Sequence, residues 1–198
     1  MSYIFCIGFN KTATTSLEAL FRNKMRCGDQ RSFEDLMYHF YDKSYAPILD
    51  LIKSYSDSNV FFQDVPFSMP HFYKVLHSAF PEAKFILSVR DSVEQWYLSL
   101  KRFHNVNSIE ELKNFNYTRK NYLYDWYIKG LGCDKNDPLN EEYLKSVYSL
   151  HIKDVSQYFS GSKNFIEINI KEENILSKLS NFVGVNFFDC NIPHANKS

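Results

Sequence analysis

Short apolar runs alternate with segments of helical period along this chain. The segments repeat apolar residues every three or four positions, as Leu17, Leu20 and Phe21 do. The apolar runs predict buried strands over Tyr3–Ile7, Met25–Cys27, Val60–Phe62, Lys84–Val89 and Asn164–Ile170. The signal at Met25–Cys27 is weaker than at the other four. Alternating strands and helices predict an α/β fold, a three-layer sandwich in which helices cover both faces of a central parallel sheet.

The second half of the chain is less regular before it becomes helical again. Residues 103–140 are polar and aromatic, and Tyr117–Lys129 within them predicts a helix. Such a segment at the carboxyl end of a strand often forms an acceptor pocket or a lid. Its aromatic residues suit either the lining of an acceptor site or a local core: Tyr122, Trp126 and Tyr127. Helices are also predicted over Glu141–Phe159 and over Glu172–Val183, with Gly184 as the C-terminal stop.

No internal repeat or flexible linker divides the sequence. The 198 residues suit one domain, residues 1–198, which at this size buries roughly 70% of its unfolded surface. The 23 basic and 23 acidic residues give a net charge of zero, which argues against a nucleic-acid binder but allows a local basic pocket. The absence of a leader and of a long apolar stretch leads us to expect a cytoplasmic protein without a membrane partner.

The cysteines and histidines do not form a ligand motif. Cys6, Cys27, Cys133 and Cys190 lack the spacing of a zinc site or a disulfide framework, and Cys6 lies in an apolar strand where a buried free thiol is ordinary. We therefore expect no metal site.

Polar groups follow three of the predicted strands. Gly8 to Lys11 follow the first strand, Asp64 follows Val60–Phe62, and Arg90 follows Lys84–Val89. In an open parallel sheet, ligands bind beyond the carboxyl ends of the strands. These three segments are therefore expected to meet at one edge.

The first of these segments has the composition of a phosphate-binding loop. A glycine turn after the strand leads to Lys11 and then to hydroxyl residues that open an amphipathic helix. Backbone N–H groups at a helix start point toward an anion, and the helix dipole adds roughly half a positive charge. The loop departs from GxxxxGK[ST], because Asn10 and not glycine precedes Lys11.

Several motifs together resemble the sulfotransferases that use 3′-phosphoadenosine-5′-phosphosulfate (PAPS). Residues 4–17 resemble their 5′-phosphosulfate loop. Later segments resemble the other signatures of the family: Val60–Phe67, Ala83–Ser92 with Trp96–Ser99, and the ending Ile192–Ser198. The resemblance implies a P-loop NTPase-like sulfotransferase fold, PAPS as donor, 3′-phosphoadenosine-5′-phosphate (PAP) as product, and no metal.

The resemblance also implies roles for individual residues. Lys11 stabilises charge on the leaving phosphate, and Asp64 is the preferred general base, with His71 and His39 in reserve. Arg90 holds the 3′-phosphate together with Ser99, which lies nine positions after Arg90 where eight is usual. The implied donor-binding set is Gly8, Asn10, Lys11, Thr12, Ala13, Thr14, Thr15, Ser16, Arg90, Ser99 and Lys197.

Each of these roles has a structural alternative. Lys11 is compatible with a solvated surface lysine, and Asp64 with a turn residue before Pro66. Thr15 with Glu18 matches a capping box, so the hydroxyl serves either the helix start or a ligand. Arg90 suits a phosphate, or an ion pair with its neighbour Asp91 or with another carboxylate at the strand end. Trp96 has the helical spacing of a core residue.

The expected function is transfer of a sulfuryl group from PAPS to a hydroxyl, or less readily an amine, of a carbohydrate or small-molecule acceptor. Two other hypotheses remain open. A P-loop nucleoside or small-molecule kinase would use Asp64 for Mg²⁺, although the missing glycine before Lys11 argues against it. The second hypothesis is a catalytically silent nucleotide-binding protein with the same fold.

Overall fold

The computed structural model describes residues 2–56, 59–115 and 119–192 of the chain. Within these ranges the strands form one sheet in the order β2-β3-β1-β4-β5, and every neighbouring pair is parallel. The strands are β1 (Tyr3–Cys6), β2 (Arg26–Cys27), β3 (Val60–Phe62), β4 (Lys84–Val89) and β5 (Phe165–Asn169). The predicted α/β architecture with a central parallel sheet is confirmed.

Helices lie between successive strands along the chain, as parallel strands of one sheet require. The elements are α1 (Thr14–Arg22), α2 (Gln30–Asp35), α3 (Met37–Tyr41), α4 (Ala46–Lys53), α5 (Phe72–Ala79), α6 (Val93–His104), α7 (Ile109–Asn114), α8 (Tyr122–Asp125), a π-helical turn (Trp126–Gly130), α9 (Glu141–Tyr158) and α10 (Ile175–Val183). None of the helices in the described ranges combines the length and the apolar composition that crossing a bilayer requires.

The central strand β1 lies between β3 and β4, and its register fixes the edge where the site forms. Phe5 is opposite Phe62 on one side and opposite Phe85 on the other. The carboxyl ends of these three strands therefore lie side by side. Polar residues that follow them are brought together by backbone pairing alone.

Both faces of the sheet are buried under helices. On one face Phe5, Phe62 and Phe85 belong to a large aromatic core. On the other face Ile4 and Ile86 pack in a second core with the apolar side of α1 and α10. Strands buried on both faces read as continuous apolar runs, which is why they stand out in the sequence.

Two helix predictions differ from the structure. The predicted Tyr117–Lys129 helix is in fact α8 followed by the π-helical turn, and residues 117 and 118 lie outside the described ranges. The helix predicted from Glu172 begins only at Ile175, because residues 171–174 form a turn after β5. Its end at Gly184 is confirmed, with the glycine in the left-handed conformation at φ 80°.

Candidate active site

A cavity of about 740 Å³ opens at the carboxyl edge of the sheet. Its lining includes Asn10 and Lys11 after β1, Asp64 after β3, and Arg90 after β4. The size lies within the range of roughly 300–1,000 Å³ that small-molecule sites occupy. The expected convergence of three strand ends is therefore present in the structure.

The loop from β1 to α1 leaves the helix start open. Lys11 and Ala13 both have positive φ, 68° and 70°, and Ala13 is the N-cap without a side-chain hydrogen bond. No acidic residue lies in the first turn. The N–H groups that begin a helix have no acceptor within it, so this end of α1 offers donors and a positive dipole to an anion.

The capping box predicted for Thr15 and Glu18 is wrong. Because Ala13 is the N-cap, Thr15 is already the second residue of α1, and its side chain is exposed. Glu18 pairs instead with Arg22 and accepts a hydrogen bond from Gln63. Thr15 lines the cavity together with Thr14 and Ser16, which are both buried.

Two residues of the predicted donor-binding set shape the loop without lining the cavity. The hydroxyl of Thr12 donates to the carbonyl of Phe9 and lies 2.6 Å from the Ser88 hydroxyl, fully buried. Gly8 packs against β4 so closely that a Cβ there would lie 2.2 Å from Oγ and 2.3 Å from the carbonyl oxygen of Ser88. Glycine is thus required for the close approach of the loop to the sheet.

Lys11 carries its charge into the cavity. Its Nζ lies 3.6 Å from the centre of the Phe103 ring, a cation–π contact on the wall of the cavity. Burial lowers the pKa of Lys11, and the positive charge of Arg90 lowers it further. The side chain is half-buried and lines a cavity, in contrast to a freely solvated surface lysine.

The side chain of Arg90 is held by the loop after β1 and not by the neighbouring Asp91. Its Nε donates to the Lys11 carbonyl at 2.6 Å, and its backbone N–H donates to the Tyr148 hydroxyl at 3.0 Å. Asp91 pairs with Lys171 and accepts from Asn169, so the suggested Arg90–Asp91 ion pair does not form. No acceptor for the Nη atoms of Arg90 is recorded among residues 2–56, 59–115 and 119–192.

Ser99 also lines the cavity despite its shifted spacing. It lies on α6, whose buried face carries Trp96, and Trp96 donates from Nε1 to the Asn10 carbonyl at 3.0 Å. The predicted core role of Trp96 is confirmed, since it is fully buried. Trp96 thereby fixes α6 against the loop that carries Lys11.

Asp64 is strained and partly buried. Its φ is 59°, a left-handed conformation, and its Oδ1 accepts from the backbone N–H of Val65 at 2.9 Å. Burial raises the pKa of Asp64 to about 6, and the charge of Glu18 contributes to the rise, while Val65 N–H and Lys11 oppose it. Strained backbone and a raised carboxyl pKa in a cavity are both typical of functional sites.

A hydrogen-bonded amide joins Asp64 to a second carboxyl group. Gln30 donates from Nε2 to Oε1 of Glu34 at 2.8 Å and to Oδ2 of Asp64 at 3.3 Å. Glu34 is only 5% exposed and lines the cavity, and burial raises its pKa to about 7. Sequence reasoning missed both residues, whose i, i+4 spacing on the short helix α2 gave no motif.

The histidine that lies in the cavity is not one of the predicted reserves. His39 is partly buried and hydrogen-bonded to Ser44, His71 is exposed at the start of α5, and neither lines the cavity. His104 does line it, with Nδ1 2.8 Å from the Tyr127 hydroxyl. Burial lowers the pKa of His104 to about 3, so the ring is neutral.

The predicted aromatic group divides between two roles. Tyr122 and Trp126 line the cavity, whereas Tyr127 packs beneath it against His104. Phe103 and Phe115 complete the aromatic wall. Turns of π-helix are frequent at functional sites, and here the turn begins at Trp126.

A family model described as a sulfotransferase domain matches residues 3–198. The match spans the loop, all three strand ends and the segments that follow them. The chain belongs to the sulfotransferase family. No curated protein matches it at the significance required.

This sulfotransferase domain gathers most of the residues predicted for its site. Nine of them line one cavity: Asn10, Lys11, Ala13, Thr14, Thr15, Ser16, Asp64, Arg90 and Ser99. Gly8 and Thr12 lie beneath the loop, and Lys197, with the rest of the 193–198 tail, lies outside the described residues. Across residues 2–56, 59–115 and 119–192, no group of three or more His, Cys, Asp or Glu is placed to hold a metal ion.

Proposed function

We propose that this sulfotransferase transfers a sulfuryl group from PAPS to a hydroxyl group of a small acceptor. The observation that carries the proposal is the convergence of Lys11, Asp64 and Arg90 in one cavity at the open end of α1. An anion-binding cradle, two cations and a desolvated carboxylate are the groups that such a transfer needs.

The donor end of the cavity fits a nucleotide with two separated anionic groups. The N–H groups of Thr14, Thr15 and Ser16 with Lys11 suit the 5′-phosphosulfate. Arg90, with Nη atoms that have no recorded partner in the described ranges, suits the 3′-phosphate, because guanidinium binds phosphate in a planar, two-pronged contact. Ser99 adds a hydroxyl from the adjoining helix.

The charged residues then have distinct chemical tasks. PAPS supplies an activated sulfuryl group with a phosphate as its leaving group. Asp64 takes the proton that the acceptor hydroxyl loses, and a pKa of about 6 leaves it ionised at neutral pH yet basic enough to accept it. Lys11 offsets the negative charge that builds up on the leaving phosphate.

A transfer assay tests the proposal against the kinase alternative. The protein is incubated with a panel of phenols, alcohols, amines and sugars, either with radiolabelled PAPS in EDTA or with γ-labelled ATP and Mg²⁺. We expect labelled product only from PAPS, and none from the Lys11→Ala variant. Product only from ATP and Mg²⁺, or equal PAPS-dependent product with Lys11→Ala, would refute the proposal.

A further inference from the structure

Gln30 lies between two carboxyl groups of the cavity and donates to both. Its Nε2 lies 2.8 Å from Oε1 of Glu34 and 3.3 Å from Oδ2 of Asp64. A primary amide nitrogen carries two hydrogens, so these two contacts use both of them. The backbone N–H of Val65 donates to the other oxygen of Asp64, Oδ1, at 2.9 Å. Each oxygen of the Asp64 carboxyl group therefore has a donor, and the two donors fix its orientation.

The backbone of Gln30 is itself held in place at the start of α2. The N-cap of this helix is Asp29, whose side chain accepts from the backbone N–H of Ser32 at 3.1 Å. The backbone N–H of Asp29 donates to the Tyr55 hydroxyl at 3.0 Å. Residues four apart share one face of a helix, which places Gln30 beside Glu34. The amide thus reaches the cavity from an anchored position.

A second amide fixes which end of the Gln30 side chain faces the carboxyl groups. Gln63 is 6% exposed, and its Nε2 donates to Oε1 of Gln30 at 3.1 Å and to Oε2 of Glu18 at 3.0 Å. Glu18 pairs with Arg22, so it accepts this hydrogen bond as a carboxylate. If the Gln30 amide were turned over, its oxygen would face two carboxyl groups and its nitrogen would face a donor. The network therefore keeps the N–H groups of Gln30 directed at Asp64.

We propose that Gln30 is a positioning residue for the general base, which holds the Asp64 carboxylate in one orientation and stabilises its ionised form. This inference rests on the proposed function, in which Asp64 takes the proton of the acceptor. In that step the acceptor oxygen forms the new S–O bond, the bond from sulfur to the bridging phosphate oxygen breaks, and the acceptor proton passes to Asp64. An N–H that donates to a carboxylate favours the charged form over the protonated one.

Several charged groups also act on Asp64. Lys11 after β1 favours the ionised carboxylate, and Glu18 on α1 opposes it. Burial raises the pKa of Glu34 on α2 to about 7, and raises the pKa of Cys6 on β1 to about 11, so the thiol stays neutral. The other charged or histidine side chains of the lining are Arg90, His104, Lys171, Glu172 and Glu173. A substitution that changes no charge leaves all of these groups in place.

The Gln30→Met variant removes both N–H donors and keeps the length of the side chain. The pKa of Asp64 is read by NMR from its ¹³C-labelled carboxyl carbon, which the Asp64→Asn variant assigns. The kcat/KM for transfer from PAPS to the acceptor of the panel that the wild type uses best is measured between pH 5 and pH 9. We expect both midpoints to rise above the wild-type value of about 6, because the carboxylate loses a donor. At high pH, kcat should fall about tenfold while the Kd for PAP stays nearly constant.

Three comparisons separate positioning from a purely structural role. Gln30→Glu has nearly the same shape but places a third carboxyl group beside Glu34 and Asp64, so its midpoint should rise further. In the Asp64→Asn background, Gln30→Met should change kcat by less than about twofold, because the base that Gln30 positions is already absent. The matched control is Gln157→Met, at an exposed position on α9 that does not line the cavity. It should keep the wild-type pH profile.

The outcomes distinguish this inference from the proposed function. A wild-type midpoint in Gln30→Met, or the same fall in kcat with and without the Asp64 carboxylate, would overturn the positioning role and leave sulfuryl transfer intact. If Gln30→Met fails to fold, Gln30→Glu decides, and an unshifted midpoint there has the same consequence. Absence of transfer from PAPS by the wild type would contradict the proposed function, and the role of Gln30 with it.

Discussion

Asp64→Asn separates binding from catalysis in this site. The substitution keeps the shape of the side chain and its contact with the Val65 N–H, but removes the negative charge. A base acts on the acceptor and not on the nucleotide. We therefore expect turnover to fall by about 10²–10⁴-fold while the Kd for PAP stays nearly constant.

The pH dependence follows from the raised pKa of Asp64. Because the carboxyl must be ionised to accept a proton, wild-type kcat/KM should rise with pH through about 6 and level off above it. The residual activity of Asp64→Asn should lack this rise. Steady-state rates between pH 5 and pH 8 measure both curves.

The same shift predicts a change in stability with a definite sign. The pKa of Asp64 is raised from 3.8 to about 6 on folding, so between these pH values the folded protein holds a proton that the unfolded chain has lost. Stability therefore falls as pH rises across this window and stays lower above it. Asp64→Asn should be more stable than wild type at pH 8, by about 2–3 kcal/mol.

Urea unfolding at pH 8 and at pH 4 measures this difference, which should nearly vanish at the lower pH. If Asp64→Asn loses PAP affinity together with activity, Asp64 holds the loop and is not the base. If it retains full activity, the proton passes to another group, and His104 is then the histidine in place to receive it.

Three further predictions concern the donor end. Lys11→Ala should abolish transfer and weaken PAP binding by roughly 10- to 150-fold in calorimetry, the loss of one charge-assisted contact; unchanged turnover would remove Lys11 from the mechanism. Arg90→Ala should lose most of the preference for PAP over AMP, whereas Ser99→Ala should cost only about 2- to 13-fold in PAP affinity; a preserved PAP-to-AMP ratio in Arg90→Ala would show that the 3′-phosphate binds elsewhere. Gly8→Ala should destabilise the fold by about 1–3 kcal/mol or more, because the new Cβ meets the Ser88 backbone. A melting temperature equal to that of the wild type would refute this.

The sheet and its ligand edge are predictable from the sequence because strands buried on both faces are continuous apolar runs. Runs such as Lys84–Val89 are buried on both faces, and a parallel sheet places whatever follows them at one edge. Lys11, Asp64 and Arg90 are found together for this reason. Their positions required no knowledge of side-chain packing.

Other residues that line the cavity were not predictable by the same means. Glu34 and Gln30 reach the cavity because α2 packs beside β3, a tertiary contact that leaves no local pattern. His104 ends α6 and lies 2.8 Å from the Tyr127 hydroxyl, another contact between segments apart in the sequence. The capping box failed because a positive φ at Ala13 moved the helix start by two residues.

Calorimetric titration of the protein with PAP, ADP and ATP, with and without Mg²⁺, tests the central claim most directly. If the cavity at the end of α1 is the donor site of a sulfotransferase, PAP should bind more tightly than ADP or ATP, and removal of Mg²⁺ should not change its Kd. Binding of ATP that exceeds that of PAP and depends on Mg²⁺ would contradict the account.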